Sequence, residues 1–284
     1  AVERSLDLVE SAVVDQGVQA GWSFHGAIAC LIATLNVPIP WCRGMPDPIR
    51  LAKCVADLAR CTRVEAEQYI KGGWVSVDGH VVEDPAHPVT SESVVIDPAA
   101  QPETVEPATI LLHKPVGYDT ISGRKVAAGL VQPETRWAED PSGVRMLDRH
   151  FHRLTPLVPL DAEASGLMVL TQDGRVWRRL TEDGDAIEQE FVVEVGGEIA
   201  PYGLRKLNHG LHYNGRALPP CKVSWQNEIR LRFAIKGVQG GQLRDMCAQV
   251  GLTVVAIRRI RIGKVPLAKM PVGSWRYLPV GERF

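Results

Sequence analysis

The larger part of this sequence predicts an α+β fold, and three observations carry that prediction. From residue 108 onward, short apolar runs of strand length recur; they follow one another instead of alternating with helices; and helical periodicity is confined to a few isolated segments. No glycine-rich phosphate loop joins a strand to a helix, so no nucleotide cofactor is expected.

Taken in order, the chain opens on a leader, residues 1–46. Gly21 to Trp41 is mildly apolar, but His25, Asn36, Pro38 and Pro40 interrupt it, so a membrane span is not expected. The basic start and clean cleavage site of a signal peptide are missing. The leader is expected to be poorly ordered, with the true start near Met45. Native peptides from residues 1–44 in mass spectrometry would refute that start.

A small module spans 47–97. Leu51, Val55 and Leu58 keep helical spacing, and Thr62-Arg63-Val64-Glu65 is a capping-box pattern that opens a second helix, stopped by Lys71-Gly72-Gly73. Val75-Ser76-Val77, Asp78-Gly79 and His80-Val81 read as strand, turn and strand. Residues 98–107, PAAQPETVEP, form a proline-rich linker, and the larger domain covers 108–284.

In that domain residues 110–112 form a strand leading into Lys114-Pro115-Val116-Gly117-Tyr118. Residues 167–170 form a buried strand stopped by Thr171-Gln172-Asp173-Gly174, and residues 191–195 form another. Leu243, Met246, Cys247 and Val250 share one helical face, closed by Gly251. Residues 253–262, TVVAIRRIRI, read as a strand with Arg259 and Arg261 on one face. His150 and His152 alternate on a short segment and read as surface residues; His209 and His212 lack the acid or cysteine neighbours a metal site needs.

Composition adds the compartment and a charge pattern. Hydrophobic residues at 45% and charged residues at 23% are ordinary for a globular chain. None of the six cysteines forms a CxxC pair, which leaves zinc unsupported and makes reduced thiols in the cytoplasm the expectation. The net charge is −1, yet residues 229–284 carry eleven Lys/Arg against two acids. Such a one-sided segment is either a polyanion-facing surface or a solvated basic face.

Asp161 stands out within LVPLDAEASGLMVLTQDG (157–174). A carboxylate in an apolar run caps the adjacent turn, or it is paired, solvated through a cleft, or used chemically.

Five blocks, in this order, resemble the bacterial S4-domain RNA pseudouridine synthases of the RsuA/RluF type. They are RLAKCVADLARCTRVEAEQYIKGGWVSVDGHVV (50–82), LLHKPVGYDT (111–120), PLDAEASGL (159–167), QEFVVEV (189–195) and GQLRDMCAQVGLTVVAIRRIRIGKVPLAKMPVGSWRYL (241–278). The resemblance implies a mixed, mostly antiparallel sheet behind an S4-like RNA-binding module. It implies isomerisation of a uridine in structured RNA, ribosomal (23S) or transfer RNA; that reaction oxidises and hydrolyses nothing, so no metal or cofactor is expected, and a monomer is expected. On its motifs Asp161 is the catalytic carboxylate and Arg244 its arginine partner. Lys114 and Tyr118 line the cleft or support the sheet, Phe191 stacks on the base, and Arg258, Arg259, Arg261 and Lys264 contact phosphates. Arg50, Lys53, Arg63 and Lys71 are the corresponding RNA contacts of the S4-like module.

The sequence also departs from that pattern. Pro159 stands where the family has arginine, Glu163 is the second acid, and Phe191 replaces a tyrosine. Gly240-Gly241-Gln242 replaces a basic segment, Asp245 replaces an arginine, and Arg63-Val64 replaces paired arginines. From Ile49 to Asp97 five basic residues face eight acidic ones, a weak clamp for RNA. These departures open a rival reading, a catalytically silent RNA-binding protein that keeps the fold.

Overall fold

A computed structural model describes residues 48–284; the leader and its expected disorder lie outside them. The chain divides into two compact units with the boundary between Val105 and Glu106, inside the expected linker.

The first unit runs β1 (Ile49–Arg50), α1 (Leu51–Ala59), α2 (Arg63–Lys71), β2 (Val75–Val77), β3 (His80–Val81), β4 (Pro88–Val89) and β5 (Val94–Ile96). Thr62 caps α2 through the expected box: its hydroxyl accepts from the Glu65 N–H, and the Glu65 carboxylate accepts from the Thr62 N–H. Asp78 and Gly79 both take positive φ (49° and 82°), the turn that matches the twist of a two-residue hairpin. Strands β3, β2 and β5 form one sheet, β1 and β4 a second pair, and Leu51, Val55, Ile70, Val75 and Val77 fill the core.

The second unit is a nine-stranded sheet with short helices, the α+β fold expected from the sequence. Its elements are β6 (Thr109–Lys114), β7 (Thr155–Leu157), β8 (Ala164–Thr171), α3 (Gly174–Glu182), β9 (Glu188–Gly196), α4 (Gly203–Asn208), β10 (His212–Tyr213), β11 (Arg216–Ala217), β12 (Lys222–Asn227), β13 (Arg230–Lys236), α5 (Gln242–Ala248), β14 (Thr253–Ile262), β15 (Val265–Pro266) and β16 (Trp275–Tyr277). The strand order is β12-β13-β9-β14-β8-β6-β16, with β15 beside β14 and β7 beside β8; β10 and β11 form a separate hairpin. Every pairing in the large sheet is antiparallel except β14 with β8. All six residues of β6 are buried, as a strand covered on both faces requires. On β13 the faces differ: Leu231, Phe233 and Ile235 point into the core while Arg230 and Arg232 stay exposed. The expected helix face of Leu243, Met246, Cys247 and Val250 is buried. In the dry core the Cys247 thiol is pushed up to about 12, which keeps it protonated.

Two expectations about orientation are corrected. A β-bulge between Arg259 and Arg261 sets Arg259 opposite Phe191 but Arg261 opposite Glu190, so these arginines lie on opposite faces of β14. His150 is not a surface residue: it is 3% exposed, with Nδ1 2.9 Å from the Tyr277 hydroxyl.

Candidate active site

Asp161 sits between β7 and β8 on a segment that is held residue by residue. Val158 adopts φ 51°, a conformation that costs a β-branched residue about 1–2 kcal/mol. Its carbonyl accepts from Arg259 Nη2 at 2.7 Å, and the Pro159 carbonyl accepts from Arg259 Nη1 at 3.1 Å. Thr120 clamps Leu160 from both sides, donating to its carbonyl at 2.9 Å and accepting from its N–H at 3.0 Å. Beyond Asp161, the Ala162 carbonyl accepts from the Gly117 N–H at 2.7 Å and from Lys114 Nζ at 3.4 Å. The half-buried Asp161 side chain does not cap its own turn. Its Oδ2 accepts from the Gly241 N–H at 3.0 Å, across 80 residues of sequence.

The glycines in these blocks now have physical reasons. Gly166, at φ +118°, faces β14 so closely that a Cβ would overlap the Arg259 backbone. At Gly240 a Cβ would lie 3.0 Å from Asp161 Oδ1, so a larger residue would crowd the carboxylate. Tyr213 steadies that turn, its hydroxyl donating to the Gly240 carbonyl at 2.6 Å.

Two buried cations flank the segment. Arg259 is fully buried and spends its donors on the carbonyls of Leu167, Pro159 and Val158 and on Gln189 Oε1. Desolvation lowers its pKa to about 9, and the charge of Asp161 opposes that shift. Lys114 donates to the carbonyls of Pro115, Tyr118 and Ala162, and burial lowers it to about 8, with Arg259 adding to the shift and Asp119 and Asp161 opposing it. Neither cation ion-pairs with Asp161. They hold the backbone around it and lend it positive potential, leaving one fixed carboxylate with an accessible edge. Such a group can attack a sugar carbon or stabilise positive charge developing on it.

The other expected site residues fall into distinct groups. Arg244 lies on α5 and pairs with Glu163 at 2.8 Å, two residues past Asp161, instead of with Asp161 itself. Asp245 turns to Gln249 Nε2 at 2.5 Å. Phe191 is 2% exposed in the same apolar cluster as Leu160, so its ring offers no open face to a base. Tyr118 is half-buried, with Lys125 Nζ 5.8 Å from its ring centre. Lys114 supports the sheet and loop and does not line an open cleft.

The four expected phosphate contacts separate in the same way. Burial removes Arg259 from that role. Arg261 is held by Glu188 and Glu190 at 2.6 and 2.7 Å; Arg258 and Lys264 are exposed. Three of the eleven C-terminal cations are thus answered by β9, since Arg230 also pairs with Glu194 and Arg232 with Glu190. In the first unit Arg50 and Lys53 are exposed, while Arg63 and Lys71 share Glu67 at 3.3 and 3.2 Å. Thr120, Tyr213 and Gly241 received no role from the sequence. Thr120 stood inside a quoted block, but nothing in the spacing linked it to Leu160.

Comparison with known proteins accords with this architecture. Residues 49–95 match the S4 domain family. The chain is 30% identical over 248 residues to the dual-specificity RNA pseudouridine synthase RluF of Escherichia coli (strain K12), covering 84% of this chain and 78% of that protein. It is 28% identical over 244 residues to the ribosomal large subunit pseudouridine synthase B of Bacillus subtilis (strain 168), covering 82% and 93%. A crystal structure of a pseudouridylate synthase shares the fold, with a TM-score of 0.51 and 20% identity over 82% of this chain and 96% of that one. The two-unit organisation, the clamped Asp161 segment and this degree of identity lead to one assignment: the chain belongs to the RsuA/RluF-type RNA pseudouridine synthases.

Proposed function

We propose that the protein isomerises one specific uridine to pseudouridine in ribosomal RNA, with Asp161 as the catalytic carboxylate. The reaction breaks the N1–C1′ bond, turns the base and joins C5 to C1′; the proton lost from C5 is balanced by the one gained at N1. The sugar carbon is electron-poor while the base is detached, and a fixed carboxylate beside it bonds to it or stabilises it. The observation that carries this reading is the holding of Val158, Pro159, Leu160 and Ala162 by four separate groups, which fixes the one side chain between them. A carboxylate held this rigidly by its own backbone is what catalysis by positioning requires. Arg244 acts as a positioning residue through Glu163.

The buried Phe191 and the engaged Arg244 favour a second reading, RNA binding without chemistry. One experiment separates the two: mapping pseudouridine across ribosomal and transfer RNA in the native cell, in a deletion strain, and in the deletion carrying Asp161→Ala. The expected result is one site lost on deletion, restored by the native gene and not by the variant, whose Tm stays within a few degrees of the parent. The variant's rate is expected to fall at least about a thousandfold. An unchanged map in all strains would sink the catalytic reading.

A further inference from the structure

The turn that holds Asp161 carries no cation of its own: Gly240-Gly241-Gln242 gives the carboxylate a backbone N–H and offers no charge to an RNA phosphate. A hairpin is docked on that turn. Strands β10 and β11 are joined by Asn214 and Gly215, both at positive φ (50° and 74°), the tight two-residue form that fixes register. Tyr213 donates its hydroxyl to the Gly240 carbonyl, and the His212 carbonyl accepts from Nε2 of Gln249, at the end of α5, at 2.7 Å.

Arg216 stands directly opposite Tyr213 in the hairpin. Residues paired in this way share a face, with Cβ atoms about 5 Å apart. The face that Tyr213 turns to Gly240 is therefore also the face that carries Arg216. Arg216 is exposed, and its side chain makes no hydrogen bond or ion pair among the described residues. The acids that follow Asp161 and Gly241 in the sequence are already engaged, Glu163 by Arg244 and Asp245 by Gln249. The surrounding sequence repeats the imbalance. From Ile199 to Asn227 the chain carries Arg205, Lys206, Arg216 and Lys222 and no acid; all four are exposed, and none makes an ion pair among the described residues. Arg230, Arg232 and Arg261, by contrast, are each held by glutamates. An arginine left out of every intramolecular pair, in an acid-free stretch, offers its fork of donors to an external anion.

We propose that Arg216 is a substrate-binding residue that grips a backbone phosphate of the RNA beside the uridine at Asp161, and that the β10–β11 hairpin is the element that presents it. The identity of the neighbouring nucleotide rests on the Asp161 reading; the contact itself does not. Such a contact positions the RNA without reading its sequence.

The test is filter binding of transcribed, unmodified 16S and 23S ribosomal RNA to the full chain over a salt series. Arg216→Ala is expected to weaken binding about tenfold and to lower the slope of log K against log salt by about 0.7–0.9, the share of one phosphate. Arg216→Lys keeps the charge and loses the fork, so the slope should return and the affinity only in part. Arg283 serves as the control, because its neighbour Phe284 lies against Gly263, beyond the far end of β14; Arg283→Ala should leave the slope in place. Tm should not move in any of the three, since Arg216 holds nothing together within the fold. Failure to bind either RNA, an unchanged slope in Arg216→Ala, or an equal loss in Arg283→Ala would each overturn the proposal. Binding is read without turnover, so the same series on the Asp161→Ala protein decides the contact whatever the pseudouridine map shows for Asp161.

Discussion

Arg259 has exchanged water for four oxygen atoms, and three of them belong to the backbone on either side of Asp161. Arg259→Met would strip those acceptors of their donor in a dry interior, where each unsatisfied group costs about 1–3 kcal/mol. The expected loss is roughly 3 kcal/mol or more in urea unfolding, with activity falling further than the folded fraction accounts for. Arg259→Lys keeps the charge but loses the planar fork, so it should recover part of the stability and little of the activity. Denaturation midpoints and turnover, measured together on both variants, check this. Asp161 itself was legible in the sequence, because an acid inside an apolar run demands an explanation and the ordered blocks supplied one. The role of Arg259 was not. A basic residue in a strand reads as a surface cation until the bulge beside it is known, and nothing local announces that bulge.

Strand β14 is the element on which the candidate site depends, and its contact with β8 passes through Gly166. Gly166→Ala would place a methyl on the Arg259 backbone at a φ that side chains avoid. Strain and overlap together should cost roughly 3 kcal/mol or more and push β14 off β8. Loss of the cooperative thermal transition, or a fall in Tm of about 10 °C, would register it. Helix α2 offers the opposite case, a gain by release. Glu67 holds both Arg63 and Lys71, so Glu67→Gln should free two cations for an RNA backbone. RNA binding is expected to tighten at low salt, with the slope of log K against log salt steepening by up to about 0.7 per freed cation, while Tm barely moves. Filter binding over a salt series reads this directly. The elements themselves were largely legible. The Thr62 box, the Asp78-Gly79 turn and the helix face of Leu243 and Met246 are each set by neighbours within a few residues. The order of strands was not legible from local pattern, because pairing joins residues far apart in the sequence.

Across the whole described chain, two buried histidines bear on acid stability, and one of them, His150, was expected on the surface. Burial lowers His150 from 6.5 to about 4 and lowers His113 in the same direction. In the unfolded chain His150 takes up a proton near pH 6.5, while in the fold it resists until about 4. The unfolded state therefore holds more protons within that window, and stability falls as pH drops through it. One such proton corresponds to about 1.4 kcal/mol per pH unit. His150→Phe should reduce the slope of unfolding free energy against pH by about one proton between pH 6.5 and 4, as denaturant titrations across that range would show. The topology has a further consequence in time. The strand that fills the gap between β9 and β8 is β14, and it follows both of them in the chain. A ribosome that has released β8 and β9 but not yet Thr253 has made Asp161 and neither the arginine that braces it nor the strand that closes the sheet. Until then two unpaired strand edges wait beside each other, and the chain is most exposed to wrong pairing. The segment that carries Asp161 is thus made before its brace, and the clamp on Val158 and Pro159 can close only once Thr253–Ile262 has followed.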